Sequence, residues 1–415
     1  MAGVVYDNRG VPRSIFARIL VSLGVIAAIA QAPAPARAAG TTFWAGPPNP
    51  GATKQIKDLK RKGRTTEARR LQEMVNVPDS VWLTDGTPAD VETATADTIA
   101  AAEHDGAVPV LVAYDIPQRD CGLYSSGGAP DGLAYRDWID GMVAGLGQAR
   151  AVIVVEPDGL SGTPTDCGQT DKYGRLSLIK YAADQLATDL NASVYIDAGN
   201  ADWNPPATTA ARLVEAGVQD VAGFALNVSN FQYTANSDVY GTWVSECIAY
   251  GTQVDPGNFD ACPDQYGSWN SHPLSPYGKW TSSASRTKFD VKPENDRYAS
   301  LLNGTPATTH FLVDTSRNGL GPWPGMSRHP ASRGNTESWC NPPNRGAGQR
   351  PTSVTGYALA DAYLWVKIPG ESDGQCYRWT SGPDDPARHV RDPDAGGWFR
   401  AQALEFADLA VPAFP

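Results

Sequence analysis

Short apolar runs along this chain end, one after another, in a carboxylate or an amide. Residues 108–114 run into Asp115 and 151–155 into Glu156, and later runs close at Asp197, Asn227 and Asp314. Between them lie stretches of helical character: 89–104, rich in Ala, Thr and Glu, the amphipathic 135–146, then 174–190 and 207–216. A run at 80–84 comes before them, and runs at 221–227, 310–314 and 358–366 follow. This alternation predicts a parallel sheet, because parallel neighbours need a crossover connection. So many units suggest closure into a barrel, although an open doubly wound sheet satisfies the same pattern. A barrel would gather the polar strand ends on one face. Two ends carry the most chemistry. One run delivers Asp115, Arg119 and Asp120, and the next delivers Glu156-Pro157-Asp158. Carboxylates from two strands at one rim suggest paired-carboxylate chemistry, whose commonest use is glycoside hydrolysis.

The first 38 residues read as an export signal and are set apart from the fold. Arg9, Arg13 and Arg18 precede an apolar core at 19–30 that is short for a membrane span, and Ala36-Arg37-Ala38 fits a small-x-small cleavage site. A mature start near Ala39 is expected; a retained membrane anchor is the alternative. The remaining chain suits one large domain, 39–415, since no long linker divides it. Loss of four arginines and one aspartate with the signal takes the formal net charge from −11 to −14. Such acidity argues against nucleic acid or an anionic membrane as partner and fits a neutral substrate. The 12 tryptophans and 16 tyrosines lie mostly beside Gly, Pro or Asn, where aromatic faces stay accessible. The six cysteines, Cys121, Cys167, Cys247, Cys262, Cys340 and Cys376, favour disulfides in an exported chain. No Cys-x-x-Cys pair or histidine cluster suggests a metal, so neither metal nor cofactor is expected. The basic run within 54–74 reads as the solvated face of a helix. Residues 231–300 break the alternation and read as a long ordered insertion beside the site, stapled by Cys247 and Cys262.

Several blocks then carry a resemblance. They are Tyr114-Asp-Ile-Pro-Gln-Arg-Asp-Cys-Gly122 with Gly127-Gly128, Val155-Glu-Pro-Asp-Gly-Leu160, Tyr195-Ile-Asp-Ala-Gly-Asn-Ala-Asp-Trp203, Ala225-Leu-Asn-Val-Ser-Asn230, Asp314-Thr-Ser-Arg-Asn-Gly319, Trp339-Cys-Asn-Pro-Pro343 and Trp365-Val-Lys-Ile-Pro-Gly-Glu-Ser-Asp-Gly374. In this order they resemble the signatures of glycoside hydrolase family 6, the secreted endoglucanases and cellobiohydrolases. The resemblance covers most of 41–410. It implies a distorted, seven-stranded, TIM-like parallel β/α barrel with a groove across the strand C-terminal ends, and cleavage of β-1,4-glucosidic bonds with inversion. The implied partner is cellulose or a soluble β-1,4-glucan, acted on by an extracellular monomer.

The resemblance also implies roles. Asp158 corresponds to the general acid, which must hold its proton at neutral pH. Asp120 would sit close by, raise the pKa of that acid by like-charge repulsion and help order the attacking water. Tyr114 would lie near the distorted sugar, and Arg119 would hold Asp120 ionised; a buried Asp115–Arg119 pair shaping the turn is the structural alternative. Asp373 matches a proposed catalytic base, with electrostatic support or an ion pair to Lys367 or Arg317 as equal alternatives. Lys367 and Glu371 match residues that bind sugar hydroxyls, and Asn227 joins this substrate-binding set. Asp197 is expected to order Asn200 and Trp203. Many family members carry histidine where this chain has Asn200, a departure that affects one subsite. Trp82, Trp203 and Trp339 match aromatic platforms, whereas Trp138, Trp365 and Trp398 read as core. The resemblance further implies Cys121–Cys167 and Cys340–Cys376 disulfides. The short loop after Cys121 favours endo action. The longer span 375–397 keeps a cellobiohydrolase open as the alternative, and a non-catalytic glucan-binding protein is the rival of another class.

Overall fold

The computed structural model describes residues 40–325, 337–378 and 380–415. The expected export signal lies outside them. In chain order the elements are α1 (Pro50–Arg61), α2 (Thr65–Val75), β1 (Ser80–Leu83), α3 (Pro88–His104), β2 (Val110–Ala113), α4 (Gly132–Leu146), β3 (Ala151–Val155), α5 (Arg175–Leu186), β4 (Ala192–Asp197), α6 (Pro206–Glu215), β5 (Gly223–Leu226), α7 (Thr234–Ala249), α8 (Lys292–Leu302), β6 (His310–Asp314), β7 (Ala360–Leu364) and α9 (Arg400–Asp408).

The ladders between these seven strands are all parallel, and the strands stand in chain order from β1 to β7. The order never reverses, so the doubly wound alternative falls. The two-residue period of the strands divides the core. Val110, Val112, Val154, Tyr195, Ala225, Leu312 and Leu364 pack together inside the curled sheet. Their neighbours Leu111, Ile153, Ile196, Phe224, Phe311 and Val313 pack outward under the helices. No ladder among the described residues joins β7 back to β1. The seam is bridged instead by side chains: the Ser80 hydroxyl and the Trp82 indole N–H (2.9 Å) both donate to the Val366 carbonyl. The barrel is therefore distorted, with one open seam.

The basic run is carried by two helices, α1 and α2, broken at Gly63 (φ +74°). Ile56, Leu59, Ala68 and Leu71 are buried while Lys57, Lys60 and Arg61 face water. The segment expected to break the alternation begins by continuing it, because α7 follows β5 as a covering helix. Its irregular part is the run from the end of α7 to α8.

Candidate active site

The rim is built from strand ends held in strained backbone. Gln118, Asp120, Cys121, Glu156 and Asp158 all have positive φ, between 51° and 65°. Each such non-glycine residue costs roughly 1–3 kcal/mol and persists only where its surroundings over-determine it. Here the surroundings do. Glu156, fully buried at the end of β3, accepts from the amides of Asp115 (3.1 Å) and Ile116 (3.2 Å) and so fastens the end of β2. Gly128 (φ +89°) passes so close that a Cβ there would lie 2.1 Å from the Ile116 carbonyl oxygen. Arg119 then clamps the turn. It donates to the carbonyls of Ser125 (2.9 Å), Thr84 (2.7 Å) and Tyr114, and its guanidinium lies 4.6 Å over the Tyr114 ring.

These constraints aim two carboxyls into one cleft of about 910 Å³. The Asp158 amide donates to Asp197 (2.8 Å), which fixes the turn from behind, whereas the Asp158 carboxyl has no protein hydrogen bond among the described residues. Burial, then the negative charges of Asp120 and Asp373, push that carboxyl from 3.8 up to about 7. Asp120 accepts from the Ser125 amide (2.7 Å). Burial raises it to about 6, against the pull of that hydrogen bond and of Arg119. Burial and the nearby Asp158 and Asp120 charges hold the Tyr114 hydroxyl well above its usual range, so it stays neutral.

On the far side Asp373, nearly fully buried, is gripped by Arg317. One guanidinium nitrogen meets both its oxygens, at 2.8 and 2.9 Å. Asn341 closes the contact reciprocally: its amide donates to Asp373 Oδ2 (2.9 Å), and its Oδ1 accepts from the Asp373 amide (2.8 Å). Of the partners left open by the sequence, Arg317 is thus the one found. Lys367 stands 5.6 Å from the centre of the Trp82 ring, and Glu371 accepts from Asn49 (2.9 Å). Trp82, Asn200, Trp203 and Trp339 line the same cleft. The three disulfides Cys121–Cys167, Cys247–Cys262 and Cys340–Cys376 are all formed. The first ties the loop after Asp120 to the loop after Asp158.

Three expectations need correction, those for Asn227, for an Asp115–Arg119 pair and for Asp197. Asn227 does not line the cleft. It is buried, donating to the Asp314 carbonyl (2.8 Å) and accepting from the Gln232 amide (3.0 Å), so it links the ends of β5 and β6. Arg119 spends its hydrogen bonds on carbonyls, not on a carboxylate. It steadies the Asp120 charge only through space, and it forms no ion pair with Asp115 among the described residues. Asp197 supports Asp158 and Gly199, whereas Asn200 makes its own turn by accepting from Asp202 (2.9 Å). Trp138 and Trp365 are fully buried, as expected of core, and Trp398, half-buried with its indole N–H on Gln55 (2.7 Å), packs against the core cluster that contains Ile56, Trp365 and Phe406. The sequence reading also missed wall residues, among them Asp85, Tyr124, Asp202, Tyr277 and Asp394. Tyr277, between Pro276 and Gly278, and Tyr124, beside Ser125, were within reach as aromatics in turn-like surroundings; the aspartates carry no such signal.

A cluster of Cys376, Asp385 and Asp392 has the spacing of a metal site. Its sulfur is already in the disulfide with Cys340, and Asp385 is paired with the buried Arg378 (2.8 Å), so the donors do not suit an ion.

Comparison with known proteins agrees with this geometry. The model of glycosyl hydrolases family 6 matches residues 38–410. Endoglucanase A of Cellulomonas fimi is 32% identical over 345 residues, 82% of this chain and 56% of its own length. A probable 1,4-beta-D-glucan cellobiohydrolase C of Aspergillus niger is 30% identical, over 88% of this chain and 76% of its own. The endoglucanase Cel6 of Mycobacterium tuberculosis, solved with a thio-linked cellobioside, superposes with a TM-score of 0.64 at 34% identity, covering 90% of this chain and 98% of that one. Against the bacterial endoglucanases of Cellulomonas, Thermobispora and Streptomyces strain KSM-9, the chain spans only 56%, 61% and 64% of their lengths. With a family match over nearly the whole described chain, and with the paired carboxyls in one cleft, this protein belongs to glycoside hydrolase family 6.

Proposed function

We propose that this protein hydrolyses β-1,4-glucosidic bonds of cellulose or a related soluble β-glucan, with inversion and by internal cleavage. The observation that carries the reading is the Asp158 carboxyl. Its pKa is raised to about 7, it makes no protein hydrogen bond among the described residues, and it opens to a groove lined by aromatic faces. A proton on Asp158 passes to the glycosidic oxygen as the bond to the anomeric carbon breaks. A water attacks that carbon from the opposite face. Asp120 keeps one oxygen clear of the Ser125 amide, and its pKa of about 6 suits it to orient that water through solvent and take up the proton. Asp373 is less suited to that task. Both its oxygens accept from Arg317, so it serves better as fixed negative charge beside a developing cation. Tyr114, neutral and stacked beneath Arg119, borders the sugar at the cleavage point.

Endo action is supported by the short loop between Cys121 and α4 and by the endoglucanase relatives. The cellobiohydrolase reading rests on Asp394, Ala395 and Gly396, which reach the cleft from the span after Cys376. Three disulfides and an acidic surface fit a secreted enzyme acting on a neutral polymer. The test follows the viscosity of carboxymethylcellulose against reducing ends released. A steep early fall in viscosity per bond cut is expected for internal cleavage; reducing sugar without that fall would refute it. The anomer released from cellohexaose, followed by NMR, checks inversion.

A further inference from the structure

Past α7 the chain makes a π-type turn (Tyr250–Val254), a 3-10 turn (Phe259–Ala261) and a long irregular run to α8. The run is pinned throughout. Gln265 donates to the carbonyls of Ala201 (3.2 Å) and Asn204 (3.0 Å), and the Tyr266 hydroxyl donates to the Trp203 carbonyl (3.0 Å). It is therefore fastened to the loop that carries the Trp203 platform. The next turn is tied from both sides. Leu274 donates its amide to the Gln265 carbonyl (2.8 Å). Asn236, buried on α7, donates to the Gly278 carbonyl (3.1 Å) and accepts from the Trp280 amide (2.9 Å). Trp280 is buried, stacks on Trp243 at 5.7 Å and donates its indole N–H to the Ser275 carbonyl (2.9 Å). At Gly278 the backbone lies so close to Phe289 that a Cβ would meet the ring at 2.4 Å.

Between the two buried anchors Leu274 and Trp280, Tyr277 alone of the turn's aromatics is left in water, 49% exposed. It lies on the wall of the same cleft as Trp203, itself 38% exposed. Its hydroxyl makes no protein hydrogen bond among the described residues. A rigid support ending in an exposed ring on a cleft wall is the arrangement that stacks on the apolar C–H face of a sugar with little ordering cost.

We propose that Tyr277 is a sugar-binding platform, adding a subsite to the cleft on the Trp203 side and so favouring longer glucan chains. This inference rests on the reading of the cleft as a β-glucan site. The experiment measures kcat/KM for cellotetraose, cellopentaose and cellohexaose with the full chain and with Tyr277→Ala, Tyr277→Ser and Tyr277→Phe. Aromatic stacking of roughly 1–3 kcal/mol corresponds to a loss of about fivefold or more. The hexaose-to-tetraose ratio should fall by that factor in the Ala and Ser variants and be restored in the Phe variant, which keeps the ring. Binding of cellohexaose to Asp158→Asn with and without Tyr277→Ala should show the same factor in Kd. A ratio unchanged in every variant, or equal losses at every length, overturns the platform alone. A wild-type chain that cleaves no oligosaccharide removes the glucanase reading and this inference with it.

Discussion

Replacing Asp120 with asparagine isolates the like-charge contribution to the Asp158 pKa. Asp158 is raised from 3.8 to about 7, by burial first, by the charge of Asp120 second and by that of Asp373 third. A rise of that size disfavours ionisation by about 4 kcal/mol, at 1.36 kcal/mol for each tenfold change. Asp120 is the larger of the two negative charges behind the rise, and the Arg317 and Lys367 cations pull the other way. Removing its charge should bring Asp158 down by about one pH unit, to near 6, while burial and Asp373 hold the rest. In the wild type, kcat/KM should fall above about pH 7 as Asp158 loses its proton, and below about pH 6 as Asp120 gains one. The two limbs belong to the coupled pair. In Asp120→Asn the acid limb due to Asp120 disappears and the alkaline limb moves to about 6. The assay is a pH profile of kcat/KM on cellohexaose at constant ionic strength. An alkaline limb that stays at 7 in the variant would refute the reasoning, because burial and Asp373 would then set the acid without Asp120.

Three further outcomes are expected. Replacing Cys247 and Cys262 by serine opens a loop with a sequence separation of 15 and should cost about 3 kcal/mol in urea unfolding; an unchanged midpoint would contradict it. Arg317→Met leaves Asp373 buried without its cation and should cost about 3–5 kcal/mol, read by the same unfolding curve. Asp238, buried on α7 and bonded to the Tyr363 hydroxyl (2.9 Å), is pushed by burial from 3.8 up to about 7. A carboxyl raised in the folded state favours folding below its unfolded pKa and loses that contribution as pH rises through the folded one. The Tm of Asp238→Asn relative to wild type should therefore climb between about pH 4 and 7; a pH-independent difference would count against it.

The fold was legible wherever an element had a buried face and a wet one. Strands such as 151–155 and 310–314 showed as apolar runs ending in a carboxylate, and helices α3 to α6 showed as the stretches between them. Helix α7 was hidden for a physical reason. Asn236, Ser237, Asp238, Tyr240, Trp243, Ser245 and Cys247 are all buried, so the helix carries polar and apolar residues on every side and shows no amphipathic period. At the site, Asp120 and Asp158 were legible because strand ends aim them at one rim. Asn227 sits at an equivalent strand end and, with φ +66°, turns inward to serve β6; nothing local separates the two cases. The Arg317–Asp373 pair joins residues 56 apart in sequence, and Tyr277 reaches the cleft from a run without periodicity. Such contacts follow from the three-dimensional path and not from a pattern along the chain.

Proton donation by Asp158 is tested most directly by comparing leaving groups in Asp158→Asn. Cellohexaose needs a proton on its departing oxygen; 2,4-dinitrophenyl cellobioside does not. The variant should lose about 10²- to 10⁴-fold in kcat on cellohexaose and far less on the dinitrophenyl substrate. Equal losses on both substrates, or undiminished cleavage of cellohexaose, would contradict the assignment of Asp158 as the acid.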